Sequence, residues 1–312
     1  MPECRAAMRT DLFDRFYPDE PDPAYRRRAG WMLGELEQAL PQGGKVLDAG
    51  CGQGFYFPLY AALGLTAVGI ETDPVPLAAA RATAARTGAE VVAAQAQALP
   101  FDNGSFDAVV LSEVLEHLPD AAPALAEAAR VLRPGGLVLI TVPNADYPLA
   151  WDPLNWGLEA LRLRPVRRGM FAGIWANHER LYTPDLLAAQ VAAAGFRAGP
   201  VLHMTRACLP FVHNLVYGLG RALLEGGLLP KSWLGAGLRG APDPGADRRK
   251  SALNPVRLMT GLIRLADRRN PDFALSGPSQ NLCLAARLPG PGAEARAPSA
   301  PPRPKVDVSG GK

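Results

Sequence analysis

The residues best placed to do chemistry lie between positions 48 and 71. Asp48-Ala49-Gly50-Cys51-Gly52-Gln53-Gly54 completes and follows KVLDAG (45–50), which reads as a short buried strand. Glycines at such a turn let the backbone bend sharply and approach a ligand closely, because no Cβ intervenes. The helix expected after the turn offers unpaired N–H groups. Glu71 stands 21 residues after Gly50, at the end of a second strand-like stretch. That spacing suits a carboxylate accepting hydrogen bonds from ribose hydroxyls. The constellation therefore points to a nucleoside ligand. The glycines alone would not, since any tight turn needs them.

Two nucleoside classes compete. A dinucleotide site uses G-x-G-x-x-G and sets the pyrophosphate on the helix N-terminus. Here the pattern is G-x-G-x-G at 50–54, with Asp48 beside it. An acid in that place repels pyrophosphate but suits a ligand carrying an ammonium and a sulfonium. The electrostatics favour S-adenosylmethionine over NAD, by a modest margin because a solvated acid costs little.

The elements that must position these residues alternate between strand and helix. Residues 24–40 read as a helix closed by Pro41 and Gly43-Gly44. TAVGIE (66–71), FDAVVLS (106–112) and GLVLITV (136–142) follow KVLDAG as strands. Asp73-Pro74 fits an N-cap with proline at the first helical position, and that helix runs to Thr87-Gly88. Another covers 120–132, stopped by Arg133-Pro134-Gly135-Gly136. Such alternation predicts a parallel sheet covered on both faces. Residues 143–182 break the rhythm with Tyr147, Trp151, Trp156, Phe171, Trp175 and Tyr182, interspersed with Arg162, Arg164, Arg167 and Arg168. Thr183-Pro184 caps a helix ending at Gly195. AGPVLHM (198–204) and NLCLAARL (281–288) read as strands. Residues 207–280 read as mostly helical, with Phe211, Val212, Leu215, Val216, Leu219, Ala222 and Leu223 on one stripe. The Pro-, Gly-, Ala- and Ser-rich stretch from Pro289 onward is expected to be disordered.

The 312 residues are 48% hydrophobic and 20% charged, with 33 Lys and Arg against 30 Asp and Glu. This composition excludes a disordered regulator, a collagen-like fibre and a disulfide-stapled mini-protein. A chain of this length can bury about three quarters of its unfolded surface. Charge is unevenly shared: residues 1–140 carry 11 basic against 18 acidic side chains, and residues 141–312 carry 22 against 12. Cys4, Cys51, Cys208 and Cys283 form no metal-binding spacing, so reduced thiols and no metal site are expected. With no signal-peptide core and no long apolar run, a cytoplasmic location is expected.

VLDAGCGQG, VGIETDP, QALPFDNGSFDAVVLSEVLEHLPD and ARVLRPGGLVLITVPN occur in that order. Together they resemble the successive motifs of class I S-adenosylmethionine-dependent methyltransferases. The nearest-looking branch, with a type 11 domain, contains the ubiquinone and menaquinone methyltransferases. The resemblance is strong over about 44–145 and weaker, through HERLYTPDLLAAQVAAAGF, to about 203.

The resemblance implies an α/β, Rossmann-like, doubly wound sheet of seven strands, the last antiparallel, with helices on both faces. It divides the chain into an N-terminal helical cap (1–43), a core (44–206) with a lid-like insertion (143–182), a helical insertion (207–280), the last core strand (281–288) and a tail (289–312). With S-adenosyl-L-methionine as cofactor, Asp48, Gly50, Gly52 and Gly54 would surround its methionine part. Glu71 would hold the ribose hydroxyls, Thr72 would lie beside the adenine, and Leu99 would line the adenine pocket. Leu111, Ser112 and Glu113 would close over the methionine part. The family often places an Asp where this chain has Gln95. A Gln carbonyl can accept the same bond from the adenine amino group, without the increment a charge brings.

Methyl transfer needs alignment and water exclusion more than a catalytic triad. If the acceptor must lose a proton, His178 is the first candidate base and His117 the second, with Glu179, Asp146 and Tyr147 behind them. Glu113 has a bland reading as a solvated acid at a helix N-terminus. His203 and His213 read as structural. The aromatic run 147–182 reads as an acceptor lid or as packing of a long connection. The acceptor is expected to be a small or lipid-linked molecule. The basic second half suits anionic partners, a peripheral membrane contact through 207–280 among them, or simply a solvated face. Nucleic acid is disfavoured. An NAD(P)-dependent oxidoreductase and a non-catalytic adenosyl-binding or membrane-associated scaffold stand as alternatives.

Overall fold

The structure is a computed structural model and describes residues 6–18, 20–169, 171–209 and 255–290. One sheet organises it. Strands β1 (Gly44–Ala49), β2 (Leu65–Glu71), β3 (Glu90–Ala93), β4 (Phe106–Ser112) and β5 (Leu132–Pro143) pair in parallel, in the order β3-β2-β1-β4-β5. Strand β8 (Asn281–Arg287) lies antiparallel against β5. Two short strands, β6 (Arg197–Ala198) and β7 (Leu202–Met204), share the outer edge of β8.

Successive residues along the central strands feed opposite apolar layers, as the two-residue period of a strand requires. Leu47, Val109 and Val138 pack toward α5 (Ala122–Val131) and α7 (Pro184–Ala193), through Leu125, Leu187 and Val191. Val46, Val110 and Leu139 pack the other way. They meet Leu33 and Leu36 of α2 (Pro23–Ala39), Phe57 and Leu59 of α3 (Phe57–Ala62) and Ala80 of α4 (Pro74–Thr87). Both faces are covered, which is why the strands read as near-continuous apolar runs. Helix entries follow the expected chemistry. The side chains of Asp22, Asp73 and Thr183 each accept from backbone N–H groups of the first turn, ahead of a proline at the first helical position.

Four details differ from expectation. Strand β3 is an edge strand of four half-exposed residues, too short and too open to carry a clear pattern. The segment Arg133-Pro134-Gly135-Gly136 does stop α5, but it already belongs to β5, which begins one residue after the helix ends. A register irregularity between Phe106 and Ala108 accommodates it. The single strand expected over 198–204 is split into β6 and β7. Gly199 still donates to the Ala285 carbonyl, but Pro200 has no N–H to offer and breaks the ladder. The sheet therefore holds eight strands, with β6 and β7 sharing the place of one.

Of the expected helical insertion, residues 210–254 lie outside the described residues, as do the Phe211–Leu223 stripe, His213 and the tail from 291. Helix α8 (Pro255–Asp267) is present, with Ile263 buried and Leu258, Leu262 and Leu265 exposed. A buried arginine of α2 fastens it to that helix. Arg27 donates through Nε to Asp267 Oδ1 at 3.0 Å and through Nη2 to the Asn270 and Pro271 carbonyls at 2.9 and 3.0 Å. Burial pushes the Arg27 pKa down, against the opposing pull of Asp267. Among the described residues Cys51, Cys208 and Cys283 are free thiols.

Removing one member of a buried ion pair strands the other. Arg27→Ala should lower the unfolding free energy in urea by about 3–5 kcal/mol. The double substitution with Asp267→Ala should recover part of that loss. Equal stability of Arg27→Ala and the unaltered chain would show that α8 is not fastened here.

Candidate active site at the carboxyl edge of the sheet

The chain leaves β1 beside the end of β2, because Ala49 is paired with Ile70 in the parallel register. The Gly50 and Cys51 N–H groups both donate to the Ile70 carbonyl, at 3.0 and 2.9 Å. Gly50, Gly52 and Gly54 take φ values of +93°, +54° and +76°, a region costly for residues with a Cβ. Their surroundings differ. A Cβ at Gly50 would meet Val114 at 2.6 Å, and one at Gly54 would meet the Phe57 ring at 2.6 Å. A Cβ at Gly52 would meet nothing within 4 Å. The loop is therefore packed underneath and open at Gly52.

Glu71 turns into this loop. Its Oε2 accepts from the Gly52 N–H at 3.1 Å, and its Oε1 accepts from the N–H groups of Thr72 and Asp73 at 2.7 and 2.9 Å. Asp48 lies beneath, 1% exposed, with the Tyr60 hydroxyl donating to it at 3.4 Å. Burial pushes its pKa up to about 7; the Tyr60 bond opposes this and the Glu71 charge adds to it.

The end of β4 supplies a second group. Ser112 Oγ bridges the Tyr56 hydroxyl (3.3 Å) and Thr141 Oγ1 (3.1 Å). Glu113 adopts φ +57°, unusual for a residue with a side chain. Its carboxylate accepts from Thr141 Oγ1 at 2.9 Å and, through both oxygens, from Asn281 Nδ2 at 3.0 and 3.1 Å. Arg28 approaches to 3.8 Å. Glu113 is thus no solvated helix cap; β5, β8 and α2 hold it. Leu111 differs from its expected role too. The strand alternation sends its side chain into the core, 1% exposed, so only its backbone reaches this edge.

Gln95 is exposed and begins a reversal closed by the Ala98 N–H on the Gln95 carbonyl. Leu99 is buried, and α5 fixes its backbone. Its N–H donates to Glu127 Oε2 at 2.7 Å and its carbonyl accepts from Arg130 Nη2 at 2.9 Å. Glu127 and Arg130 form an i,i+3 ion pair, not singled out from the sequence, and their spacing alone does not reveal the task of holding the Leu99 turn.

The two histidine candidates meet. Their rings lie 4.8 Å apart, edge to face. His117 Nδ1–H donates to the Asn177 carbonyl at 2.9 Å. Each Nε2 approaches Oε1 of Glu116, at 3.8 Å for His117 and 3.9 Å for His178. Glu116 was not singled out from the sequence. Its side chain is fully buried, and neither oxygen accepts a hydrogen bond among the described residues. Burial, then the Glu113 charge, push its pKa well up, against its own backbone N–H and Arg28.

The other candidates stand in different surroundings. Glu179 is exposed, and its N–H serves the Glu116 carbonyl. Asp146 is exposed beyond the end of β5. Tyr147 is buried and donates to Glu159 Oε2 at 2.6 Å; burial and that bond raise its pKa far above the ordinary phenol value. His203 Nδ1 donates to the Gly277 carbonyl at 2.7 Å, the structural part expected of it.

Residues 143–182 fold as a compact flap containing α6 (Pro153–Ala160). Asn155 is its buried centre, donating to Asp152 and the Ala172 carbonyl and accepting from the Val166 N–H. Tyr147, Trp151, Ile174 and Leu181 form a small apolar cluster with Ala24 of α2.

Residues 47–140 match a family model described as a methyltransferase domain. The chain is 34% identical over 203 residues to a demethylmenaquinone methyltransferase of Thermus thermophilus, a match covering 61% of this chain and 89% of that protein. It is 32% identical over 184 residues to a ubiquinone biosynthesis O-methyltransferase of Azotobacter vinelandii, covering 57% and 74%. An uncharacterized methyltransferase of Mycobacterium sp. strain JLS is 40% identical over 114 residues, but the match spans only 44% of that relative's length and 35% of this chain. The YcgJ protein of Bacillus subtilis shares the fold, with a TM-score of 0.50 at 16% identity over 84% of this chain and 98% of that one. The ordered motifs, the strand order and a relative matched over nearly its whole length agree: this chain belongs to the S-adenosylmethionine-dependent methyltransferases.

Proposed function

We propose that the protein transfers a methyl group from S-adenosylmethionine to a hydroxyl of an apolar, lipid-linked small molecule of the quinol type. The observation that carries the cofactor half is the open space above Gly52 between two acids. The residues present fit the cofactor. Gly52 borders open space, where a Cβ would meet nothing of the protein within 4 Å, Glu71 stands at the loop's rim for sugar hydroxyls, and Asp48 offers a negative charge beneath it for an ammonium. Thr72 and the Gln95–Leu99 turn would flank the adenine, with Ser112 and Glu113 on the methionine side.

When bound, S-adenosylmethionine supplies an electrophilic methyl on a sulfonium whose thioether leaves readily. The chain's own part is to hold, orient and dehydrate. Fixing both reactants can supply on the order of 7–11 kcal/mol of the barrier in favourable cases. The Gly50–Gly54 loop and Glu71 fix one reactant. The flap over 143–182 roofs the other and excludes water. The His117–His178 pair lies on the same edge to manage the acceptor's proton.

Two features support a lipid-linked acceptor. The flap exposes Leu149, Leu154, Trp156, Leu161, Leu163 and Phe171 beside Arg162, Arg164, Arg167 and Arg168, a mixture suited to an anionic lipid surface. Two of the relatives above carry quinone-pathway names. No helix among the described residues is long and apolar enough to cross a membrane.

Three outcomes are expected. Gly52→Val should abolish S-adenosylhomocysteine binding in calorimetric titration and leave a folded chain, whereas Gly54→Ala should chiefly destabilise the chain by striking Phe57. Unchanged affinity in Gly52→Val would mean the loop holds something else. An ammonium over Asp48 favours its ionised form, so affinity should rise as pH increases toward about 7. The gain should be at most about tenfold per unit and level off above that pH. Asp48→Asn should flatten the profile; a parallel slope in that variant would reassign the titrating group. Incubation with methyl-labelled cofactor and fractionated cell extract should place label in the lipid fraction. Label confined to water-soluble products would move the acceptor to a polar small molecule, and NAD binding without S-adenosylhomocysteine binding would overturn the reaction class.

A further inference from the structure

Glu116, His117 and His178 are joined by geometry that the family reading does not use. One ligand-type atom from each lies within 4.8 Å of the others. Glu116 is wholly buried and its two oxygens accept no hydrogen bond among the described residues. A buried carboxylate normally finds donors or a cation, since leaving it without either costs several kcal/mol. What approaches Oε1 here is a pair of imidazole nitrogens.

The state of one imidazole follows from its partner. Asn177 offers a carbonyl, which can only accept, so His117 Nδ1 carries the proton. Its Nε2 faces Glu116 Oε1 at 3.8 Å. A ring nitrogen and a carboxyl oxygen face each other stably when a proton or a metal ion lies between them. Metal-bound histidines show the same arrangement, with the far nitrogen donating to a carbonyl that fixes ring and tautomer.

We infer that Glu116, His117 and His178 form a binding site for a divalent transition-metal ion of the zinc type. The donor set is two imidazoles and one carboxylate, which suits zinc and its neighbours rather than magnesium or calcium. Bonds of about 2.0–2.2 Å would bring ligand atoms to about 3.3 Å from one another. The 3.8 and 3.9 Å separations to Glu116, within a trio spanning at most 4.8 Å, would have to close through side-chain rotations. Three protein ligands leave a fourth position open, and the 42% exposure of the His117 side chain keeps that side accessible.

The ion's existence does not depend on methyl transfer; only its use rests on that reading. A hydroxyl in the open position would lose its proton to bulk water more readily beside the cation. The resulting oxygen would form the new O–CH3 bond as the S–CH3 bond breaks and the thioether keeps that electron pair. The imidazoles would then serve as ligands rather than as bases.

The test uses the full chain stripped with a chelator and titrated with Co2+ as a visible probe, then with Zn2+ in competition. A stoichiometric d–d absorption band displaced by Zn2+ is expected. Glu116→Gln and His178→Ala should each weaken Co2+ binding by at least about tenfold while S-adenosylhomocysteine affinity and the circular dichroism spectrum stay unchanged. Should Glu116→Gln fail to fold, His117→Ala, on the more exposed ring, carries the same comparison. No band, or a band indifferent to these substitutions, would overturn the site and leave the histidines as an ion pair with Glu116. Co2+ binding without S-adenosylhomocysteine binding would uphold the site and sink the proposed reaction instead.

Discussion

Parallel pairing of β1 with β2 governs the whole carboxyl edge. With Ala49 opposite Ile70, the chain emerges from β1 next to a carbonyl that takes two of its N–H groups and a carboxylate that takes a third. These contacts hold the loop without filling it. A slip of one residue in this register would turn Glu71 to the opposite face of the sheet, and the turn would lose its partner. The register is in turn fixed by apolar layers on both sides, where Val46 and Leu47 face opposite clusters. Site geometry and core packing are here one constraint.

Four acids crowd this edge and each is satisfied differently. Glu71 has backbone donors, and Glu113 has Asn281, Thr141 and the approach of Arg28. Asp48 has one tyrosine hydroxyl at a long 3.4 Å, and the Glu116 side-chain oxygens accept no hydrogen bond among the described residues. The last two have raised pKa values. Asp48 is pushed to about 7 and Glu116 well above the ordinary carboxylate range, both by burial first. Charge left uncompensated by the fold marks where positive charge would be welcome.

Local features were legible in the sequence and long-range ones were not. The glycine turn, Glu71 and the proline-marked helix starts depend on neighbours a few residues away, so spacing alone places them. The split between β6 and β7 could have been read from Pro200, whose missing donor interrupts any ladder. By contrast, His117 and His178 looked like rivals for one task, because nothing in a linear pattern says that residues 61 apart share a carboxylate. Glu113 is expected at the cofactor's edge, but nothing nearby in sequence shows how it is held, because its partner Asn281 lies 168 positions away. Glu116 gave no signal as an acid among apolar neighbours, and its meaning lies in its burial.

The Glu113–Asn281 contact also orders events in time. A nascent chain can shape the glycine turn and its grip on β2 once the first hundred residues have left the ribosome. The left-handed kink at Glu113 acquires its bidentate partner only when β8 is inserted between β5 and the β6/β7 edge. Domains tend to fold as units as they emerge, yet here the last strand locks the middle of the chain. A product lacking β8 would keep the turn but leave that edge open, so competence waits on a strand 168 positions away from the residue it locks.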